Sequence, residues 1–281
     1  MAVRPGIFTD RSVTRRVAAE PPILLGAGTA LLLQIAHPKV ARAVSEHSDF
    51  ESNPVPRLLE TLDYLSMVTF GTKEEAHRVA WSVMRTHDRV NGPGYTAHDP
   101  DLQCWVNATL FQTARDLYER MLGQMPPDET ARYYEEFCSI AVLLGCPREA
   151  LPADVAAFDA YWAEMIRKLK ITDAARRLAV PILHPPIMPW LTWPFAMVLR
   201  LLSVGLLPET VREDYALPWT PASRRMLRLL LWAMKVAMRI TPGAIRRLPM
   251  RASVPLFRRV RWRRYAGRLK QPVGSGGVKK S

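Results

Sequence analysis

His87 is the residue in this sequence whose type and spacing best suit the binding of a metal or a prosthetic group. It follows Ala76, Ala80 and Val83 at steps of four, three and four residues. This spacing puts it on the apolar face of a predicted helix. A neutral imidazole in an apolar pocket suits haem iron, provided that a neighbouring acceptor holds its other ring nitrogen. The same pattern suits a core histidine bonded to a backbone carbonyl, and the spacing alone does not separate the two.

Several polar residues lie on the predicted helix that comes before the helix of His87. Arg57 and Thr61 are four residues apart and share a helix face, and Glu60 is three residues from Arg57. One interpretation is a solvated Arg–Glu pair of little energetic weight. The other is a polar wall of a pocket, in which arginine supplies a fixed positive charge and threonine a hydroxyl near bound oxygen or a propionate.

His37 and His47 flank another predicted helix. Their ten-residue separation is about three helical turns, so they cannot chelate one ion together. His37, followed by Pro38, is typical of a helix junction, and His47 with Ser48 and Asp49 indicates a capping cluster.

Trp105 and Asn107 occur in the string DLQCWVNATL. Trp105 borders an apolar stripe, which favours core packing, although stacking on a flat cofactor is the alternative. The common hydrolase, NTPase and dinucleotide motifs are absent. The Gly26–Gly28 turn lacks the third glycine of the dinucleotide fingerprint, and the single Glu74–His77 ExxH string lacks the second copy that a di-iron bundle needs.

The charge of the chain is divided unevenly. The formal net charge is +13, but 17 basic residues and no carboxylate follow position 220, and the first 220 residues carry 22 basic and 26 acidic residues. Residues 221–270 combine arginines with apolar and aromatic residues. This favours an anionic membrane surface over nucleic acid, with a plain solvated face as the other alternative.

The three cysteines form no CxxC pair, which fits a reducing compartment. The basic and apolar N-terminus contains Asp10 and Glu20 and lacks a convincing cleavage site, so a cleaved leader is not expected. The expected location is cytoplasmic, with peripheral attachment to the inner face of the membrane.

Helical periods dominate the chain, and the predicted fold is a single all-α bundle-like domain with an internal pocket. The expected organisation is an N-terminal arm (1–11), a helical domain (12–240), a basic helical extension (241–270) and a disordered tail (271–281). The predicted helices are Ile23–Ile35, Pro38–Ser45, Pro54–Phe70, Lys73–Val90, Pro100–Leu122, Pro127–Leu144, Pro152–Lys168, Asp173–Ala179, Pro194–Leu206, Ala222–Ile240 and Val254–Leu269. Gly92 is predicted to stop the fourth of these, and Pro181–Pro194 to form an extended connector.

Several strings in this order resemble the mpaB-type oxygenases, which share a catalytic domain with the rubber-cleaving latex-clearing proteins. They are LLLQIAHPKVARAVSEHSDF, PRLLETLDYL, THDRVNGPGYTAHDPDLQCWVNATL, ARYYEEFCSIAVLLGCPREALP and LPETVREDYALPW. The resemblance covers most of residues 20–220. It implies an all-α protein that holds haem b and uses O2 to cleave carbon–carbon double bonds of a small apolar, isoprenoid-like substrate.

Carried over residue by residue, the resemblance gives His87 the place of the haem ligand and Arg57 and Thr61 the place of the family's Arg-xxx-Thr pair. Glu60 stands where latex-clearing members have a lysine that covers the distal iron, so the distal chemistry differs here. Asn107 stands where many relatives have histidine. Trp105 is a further candidate for contact with the cofactor, and Glu46 and Glu60 are the nearest candidates for a catalytic base.

Two alternatives to the haem oxygenase remain at this stage. One is a non-catalytic helical protein that binds lipid or a membrane surface. The other is a non-haem metal enzyme that uses some of His37, His47 and His87.

Overall fold

The computed structural model describes residues 6–48, 50, 54–184, 193–248 and 250. These residues form an all-α fold, as predicted, and their one strand pair is a short antiparallel hairpin of β1 (Asn91–Gly92) and β2 (Tyr95–Thr96). The helices are α1 (Val13–Ala18), α2 (Ala27–Ala36), α3 (Pro38–His47), α4 (Pro54–Phe70), α5 (Lys73–His87), α6 (Pro100–Leu122), α7 (Pro127–Leu143), α8 (Val155–Lys168), α9 (Asp173–Leu183), α10 (Trp193–Gly205), α11 (Glu209–Asp214), α12 (Pro221–Ile240) and α13 (Gly243–Arg246). Short 3-10 turns occupy Pro21–Gly26 and Arg148–Ala150.

Local sequence signals set the start of α5 and both ends of α6, the two helices that matter most for the site. α5 begins with a capping box, in which the Thr72 side chain accepts from the Glu75 N–H and the Glu75 carboxylate accepts from the Thr72 N–H. α6 begins with Pro100 in its first turn, after an Asp99 cap. It ends at Gly123, whose φ of +100° is strained for any other residue. The start of α5 and both ends of α6 are therefore set by residues close in the sequence.

The first core cluster is aromatic and joins α6 to α7 and α8. Phe111 on α6 is fully buried, and its ring centroid lies 4.8 Å from that of Phe158 and 5.0, 5.2 and 5.7 Å from those of Tyr133, Tyr134 and Phe137. Such ring pairs contribute roughly 0.5–1.5 kcal/mol each beyond the area that they bury. This cluster fixes α6 against the outer helices.

The second core cluster joins α2 to α6, α8 and α11. The Trp105 indole donates to the Leu33 carbonyl at 3.1 Å, and its ring stacks on Trp162 with centroids 5.5 Å apart. The Tyr215 hydroxyl donates to the Leu32 carbonyl at 2.7 Å. These bonds satisfy polar atoms that would otherwise be buried at a cost, and they hold α2 rigidly beside α6.

The predicted end of the fourth helix was wrong. α5 ends at His87, and the chain then enters the β1–β2 hairpin, so Gly92 is a hairpin residue and does not stop a helix. A Cβ at Gly92 would lie 2.5–2.6 Å from atoms of the Tyr95 side chain. Glycine is needed there because the Tyr95 ring packs directly over the backbone.

The predicted start of the connector after α9, at Pro181, was also wrong, because the helix extends further. α9 continues through Pro181 to Leu183, since a proline in the last turn removes little of the helical hydrogen bonding. Residues 185–192 lie outside the described residues. The sequence patterns did not predict α1, α11 and α13, which have six, six and four residues and are too short for a helical period to stand out.

The start of the C-terminal region is attached to the helical body. Glu20 is only 1% exposed, and it accepts from Nε of Arg246 at 2.7 Å and from Nε of Arg247 at 2.6 Å. Arg246 also donates to the Met238 carbonyl at 3.0 Å. The predicted helix Val254–Leu269 and the predicted tail lie outside the described residues.

Candidate functional site

A cavity of about 500 Å³ lies between α2, α3, α4, α5, α6 and α7, and we call it the main cavity. Its size is within the range of small-molecule sites. Most of its wall is apolar, with contributions from Leu31, Ile35, Val44, Val106, Leu110 and Leu144. Such a wall excludes water and strengthens any polar interaction formed inside.

A small set of polar side chains interrupts this apolar wall. It includes three of the sequence-predicted site residues, Glu60, Thr61 and His87, together with Gln34, His47, Gln103 and Asn107. An apolar cavity with a few convergent polar groups is the usual form of a binding or active site.

His87 is the last residue of α5 and lies on the wall of the main cavity. The apolar face that predicted its position is present, because Ala76, Val79 and Ala80 of the same helix are buried. The His98 ring meets the His87 ring edge to face, with centroids 6.2 Å apart. His98 Nε2 lies 3.0 Å from a carboxylate oxygen of Asp88, so the ring beside His87 is itself held in place.

Thr61 and Glu60 approach the main cavity from α4. Arg57 belongs to the same helix, one turn earlier, but its side chain is outside the described part of the chain. α4 thus places Glu60 and Thr61 on the cavity wall, and their function there stays a prediction. The role of Arg57 stays a prediction.

Gln103 and Asn107 bring amides to the main cavity from α6. They are four residues apart, so one helix face carries both. Asn107 is 8% exposed. Gln103 donates from its amide nitrogen to the Leu144 carbonyl at 3.4 Å, and its buried Oε1 accepts no hydrogen bond within the described residues. Gln34 and Gln103 were not predicted as site residues, although the Gln103–Asn107 spacing in an apolar helix was a usable signal.

His47 lies at the rim of the main cavity and begins a chain of hydrogen bonds that leads away from it. Its Nε2 is 3.0 Å from the Tyr95 hydroxyl, which donates to Glu46. Glu46 also accepts from Nε of Arg42 at 2.7 Å. Bonds from Arg42 and Tyr95 lower the pKa of the Glu46 carboxyl. Glu46 is therefore held as an anion outside the cavity, which leaves Glu60 as the carboxylate on its wall.

His37 forms the junction between α2 and α3, as predicted, and is not among the residues that line the main cavity. Burial lowers the pKa of its imidazole, with a further contribution from Lys39. Within the part of the chain that was described, no group of three or more His, Cys, Asp or Glu side chains could hold a metal ion. His47 and His87 both line the main cavity but His37 does not, so the three histidines do not form one ligand set.

The expectation that Trp105 contacts a cofactor needs correction. Trp105 does not line the main cavity and is fully buried in the second core cluster. Its indole N–H is used by the Leu33 carbonyl, and its ring face is covered by Trp162. Trp105 supports α2 behind the cavity wall and has no face open to a ligand.

A second cavity of about 110 Å³ adjoins the main cavity, and we call it the apolar annex. The two share the wall residues Leu31, Gln34, Thr61, Leu110 and Ile140. Beyond these, Val17, Ile23, Leu65 and Phe137 give the annex an apolar wall. Residue spacing along the chain could not predict this annex, because its wall combines residues of α1, α4, α6 and α7.

Among the described residues, no single helix has both the length and the apolar character that a membrane span requires. The pair Pro21–Ala36 and Pro38–His47 passes the test jointly, on length and composition only, and is bent by 102°.

Comparison with known proteins identifies relatives of this chain. The family model described as "ER-bound oxygenase mpaB/B'/Rubber oxygenase, catalytic domain" matches residues 14–236. The chain is similar to the uncharacterized protein Rv2237 of Mycobacterium tuberculosis and the uncharacterized protein Mb2261 of Mycobacterium bovis. Each is 27% identical over 222 residues, which cover 75% of this chain and 87% of the relative. No solved structure matches.

Proposed function

The chain belongs to the family of mpaB-type and rubber oxygenases, and on this premise we propose that it is a haem b-dependent oxygenase. Its proposed partners are O2 and a small apolar substrate of the isoprenoid type. The observation that carries the proposal is the position of His87, a single imidazole on the wall of an apolar cavity of about 500 Å³.

The donor set of the main cavity fits a haem better than a bare metal ion. A porphyrin already holds its iron, so the protein would need to provide only one further ligand side chain. His87 is that side chain in our proposal, and the neighbouring His98 limits the orientation of its ring. When bound, haem iron supplies the activation of O2, which protein side chains alone cannot provide.

The other cavity residues have three tasks in this proposal. Thr61 and Asn107 would offer hydrogen bonds to an oxygen atom of a molecule held in the main cavity. The Glu60 carboxylate on the same wall is the candidate group to take up or release a proton at its Oε atoms. The apolar walls of the main cavity and the annex exclude water and accommodate an apolar substrate.

The proposal predicts an absorption spectrum that depends on one histidine. The full chain, purified from haem-supplemented cells, should show a Soret band that is lost or strongly reduced in His87→Ala. His77→Ala is the matched control, since His77 is on the same helix and is exposed. His47→Ala tests the other histidine on the cavity wall.

Retention of the full band in His87→Ala would contradict the proposed ligand. Absence of any band in the haem-supplemented wild type would contradict haem binding itself. Oxygen consumption with an isoprenoid substrate, measured on the wild type, then tests the reaction separately from the cofactor.

A further inference from the structure

The helix α12 has two apolar faces, and one of them is exposed. Leu227 and Met238 are buried and hold the inner face against the body. Met226, Leu229, Ala233, Val236 and Ile240 repeat at steps of three, four, three and four residues, so they share the opposite face. We call this the outer face. It also includes Trp232, and the side chains of Leu229, Trp232 and Ile240 are 62%, 65% and 75% exposed.

Basic residues lie along one edge of the outer face. Arg224, Arg228, Lys235 and Arg239 follow each other at steps of four, seven and four residues, which places them on one flank of the helix. Arg224 pairs with Glu209 at 3.0 Å. An exposed apolar face with a basic flank is the pattern of a helix that lies in the interface of an anionic bilayer.

The buried anchor at Glu20 holds the next segment in position beside α12. Arg246 and Arg247 of the α13 region bond to Glu20, while Ile245 before them and Leu248 after them are 57% and 56% exposed. Exposed apolar side chains therefore follow α12 in the chain, on a segment that is fixed to the body. Met250, two residues after Leu248, is buried and lines the apolar annex.

We infer that the outer face of α12, with Ile245 and Leu248, docks on an anionic phospholipid bilayer. The positive charge of the basic flank argues against two other ways to cover the outer face. The segment 251–281 carries ten basic residues and no acidic one, so like charges oppose its packing along the basic flank. A second copy of the chain would bring the same basic flank to the contact. An anionic lipid surface satisfies both the arginines and the apolar side chains.

The placement of Met250 connects this inference to the interior of the protein. Because Met250 closes part of the annex wall next to the exposed Leu248, docking would bring the annex close to the lipid phase. An apolar molecule that partitions into the bilayer would then have a short path to the annex. Docking itself does not depend on the proposed haem chemistry.

The experiment is co-sedimentation of the full-length protein with vesicles of phosphatidylcholine, either pure or mixed with phosphatidylglycerol. We expect binding to the mixed vesicles that weakens as salt rises. Trp232→Glu should reduce this binding about tenfold or more, because it removes an interfacial aromatic and adds a charge of the wrong sign. Trp81→Glu is the matched control, since Trp81 is 50% exposed on a helix without a basic flank of this kind, and it should bind like the wild type.

A second variant, Arg228→Gln with Lys235→Gln, keeps the inference testable if Trp232→Glu does not fold. It should also weaken binding to the mixed vesicles, by roughly tenfold. Failure of the wild type to bind the mixed vesicles would overturn the inference. The inference would also be overturned if Trp232→Glu or the double variant bound the mixed vesicles as tightly as the wild type, or if binding were lost only on deletion of residues 251–281. A dimer that dissociates in Trp232→Glu, with no binding to vesicles, would likewise overturn it. Haem content, measured on the same samples, reports separately on the proposed function.

Discussion

The helices α6 and α12 contrast in how a long apolar sequence is used. α6 has 23 residues, of which eleven are buried, with Phe111 in the aromatic core, Trp105 in the second core and Asn107 on the cavity wall. α12 has 20 residues, and only Leu227 and Met238 are buried. The polar residues that α6 brings to the main cavity are the uncharged amides Gln103 and Asn107, whereas the charged residues of α12 are all cations and most of them are exposed.

This difference in burial and charge distinguishes two structural roles that the apolar composition of the two helices does not. A buried helix tolerates amides and hydroxyls because they can bond to a backbone group or a ligand, while an unpaired buried cation is too costly. An arginine-rich apolar helix must therefore keep one side at a surface. In this chain, the interior helix builds the candidate active site, and the surface helix carries the proposed membrane contact.

Phe111→Ala should have the largest effect on stability and would show that the aromatic cluster of α6 holds the body together. Phe111 is fully buried among four aromatic rings. Its loss should lower the free energy of unfolding by about 4 kcal/mol, measured by urea denaturation. The matched variant on α12, Leu229→Ala, should change it by less than about 0.5 kcal/mol, because Leu229 is exposed. Equal losses of unfolding free energy in Phe111→Ala and Leu229→Ala would contradict the difference between the buried α6 and the exposed face of α12.

Glu20→Gln should have the next largest effect and tests how the C-terminal region is attached to the body. The carboxylate is buried and bonds to both Arg246 and Arg247, so its removal leaves two partly buried cations without their counter-charge. We expect a loss of about 3 kcal/mol in the attachment of α13. Trypsin should then cleave at Arg246 and Arg247 faster than in the wild type, while the body stays folded by circular dichroism. Glu213→Gln, an exposed carboxylate on α11, is the control and should leave the cleavage rate unchanged.

Asn107→Leu should have a smaller effect, confined to the ligand. Asn107 lines the main cavity, so its replacement should change the free energy of unfolding by at most about 1 kcal/mol. Loss of one hydrogen bond to bound O2 or cyanide should raise the dissociation constant up to about tenfold. Thr109→Val is the control, because Thr109 is buried on the same helix, does not line the cavity and donates to the Val106 carbonyl. If Thr109→Val changed the dissociation constant more than Asn107→Leu does, the ligand would not bind beside Asn107.

The smallest expected effect concerns His37 and pH. Burial lowers the pKa of the folded-state imidazole below the ordinary value of 6.5, so the unfolded chain binds more protons there. The contribution of His37 to stability is complete above pH 6.5 and is lost as the pH falls toward the folded-state pKa. His37→Asn should therefore lose less stability than the wild type between about pH 7 and about pH 5.5. An identical loss in both proteins would contradict the burial effect.

The parts of the fold that could be predicted were those with a local cause. The helical period of α6 predicted that helix with its observed bounds, Pro100–Leu122, and the structure shows a local cause for its start in the Asp99 cap and Pro100. The end of α5 could not be predicted, because it depends on the Tyr95 ring packing over Gly92, a contact within a hairpin that has two-residue strands.

The candidate site shows the same division. The spacing of His87 and of Glu60 and Thr61 predicted the helix faces that line the main cavity. Spacing could not show that Trp105 is already covered by Trp162, since that contact joins two helices far apart in the chain. Nor could it show that Tyr95 and Arg42 engage Glu46 outside the cavity.

Chemical rescue of the His87 cavity tests the central claim most directly. His87→Gly, expressed with haem, should lack the Soret band of the wild type and regain it when free imidazole is added, because the added ring replaces the missing axial ligand. His47→Gly should keep the band without imidazole. A His87→Gly protein that holds haem as the wild type does, or that never regains the band at any imidazole concentration, would contradict the claim that His87 binds a haem in the main cavity.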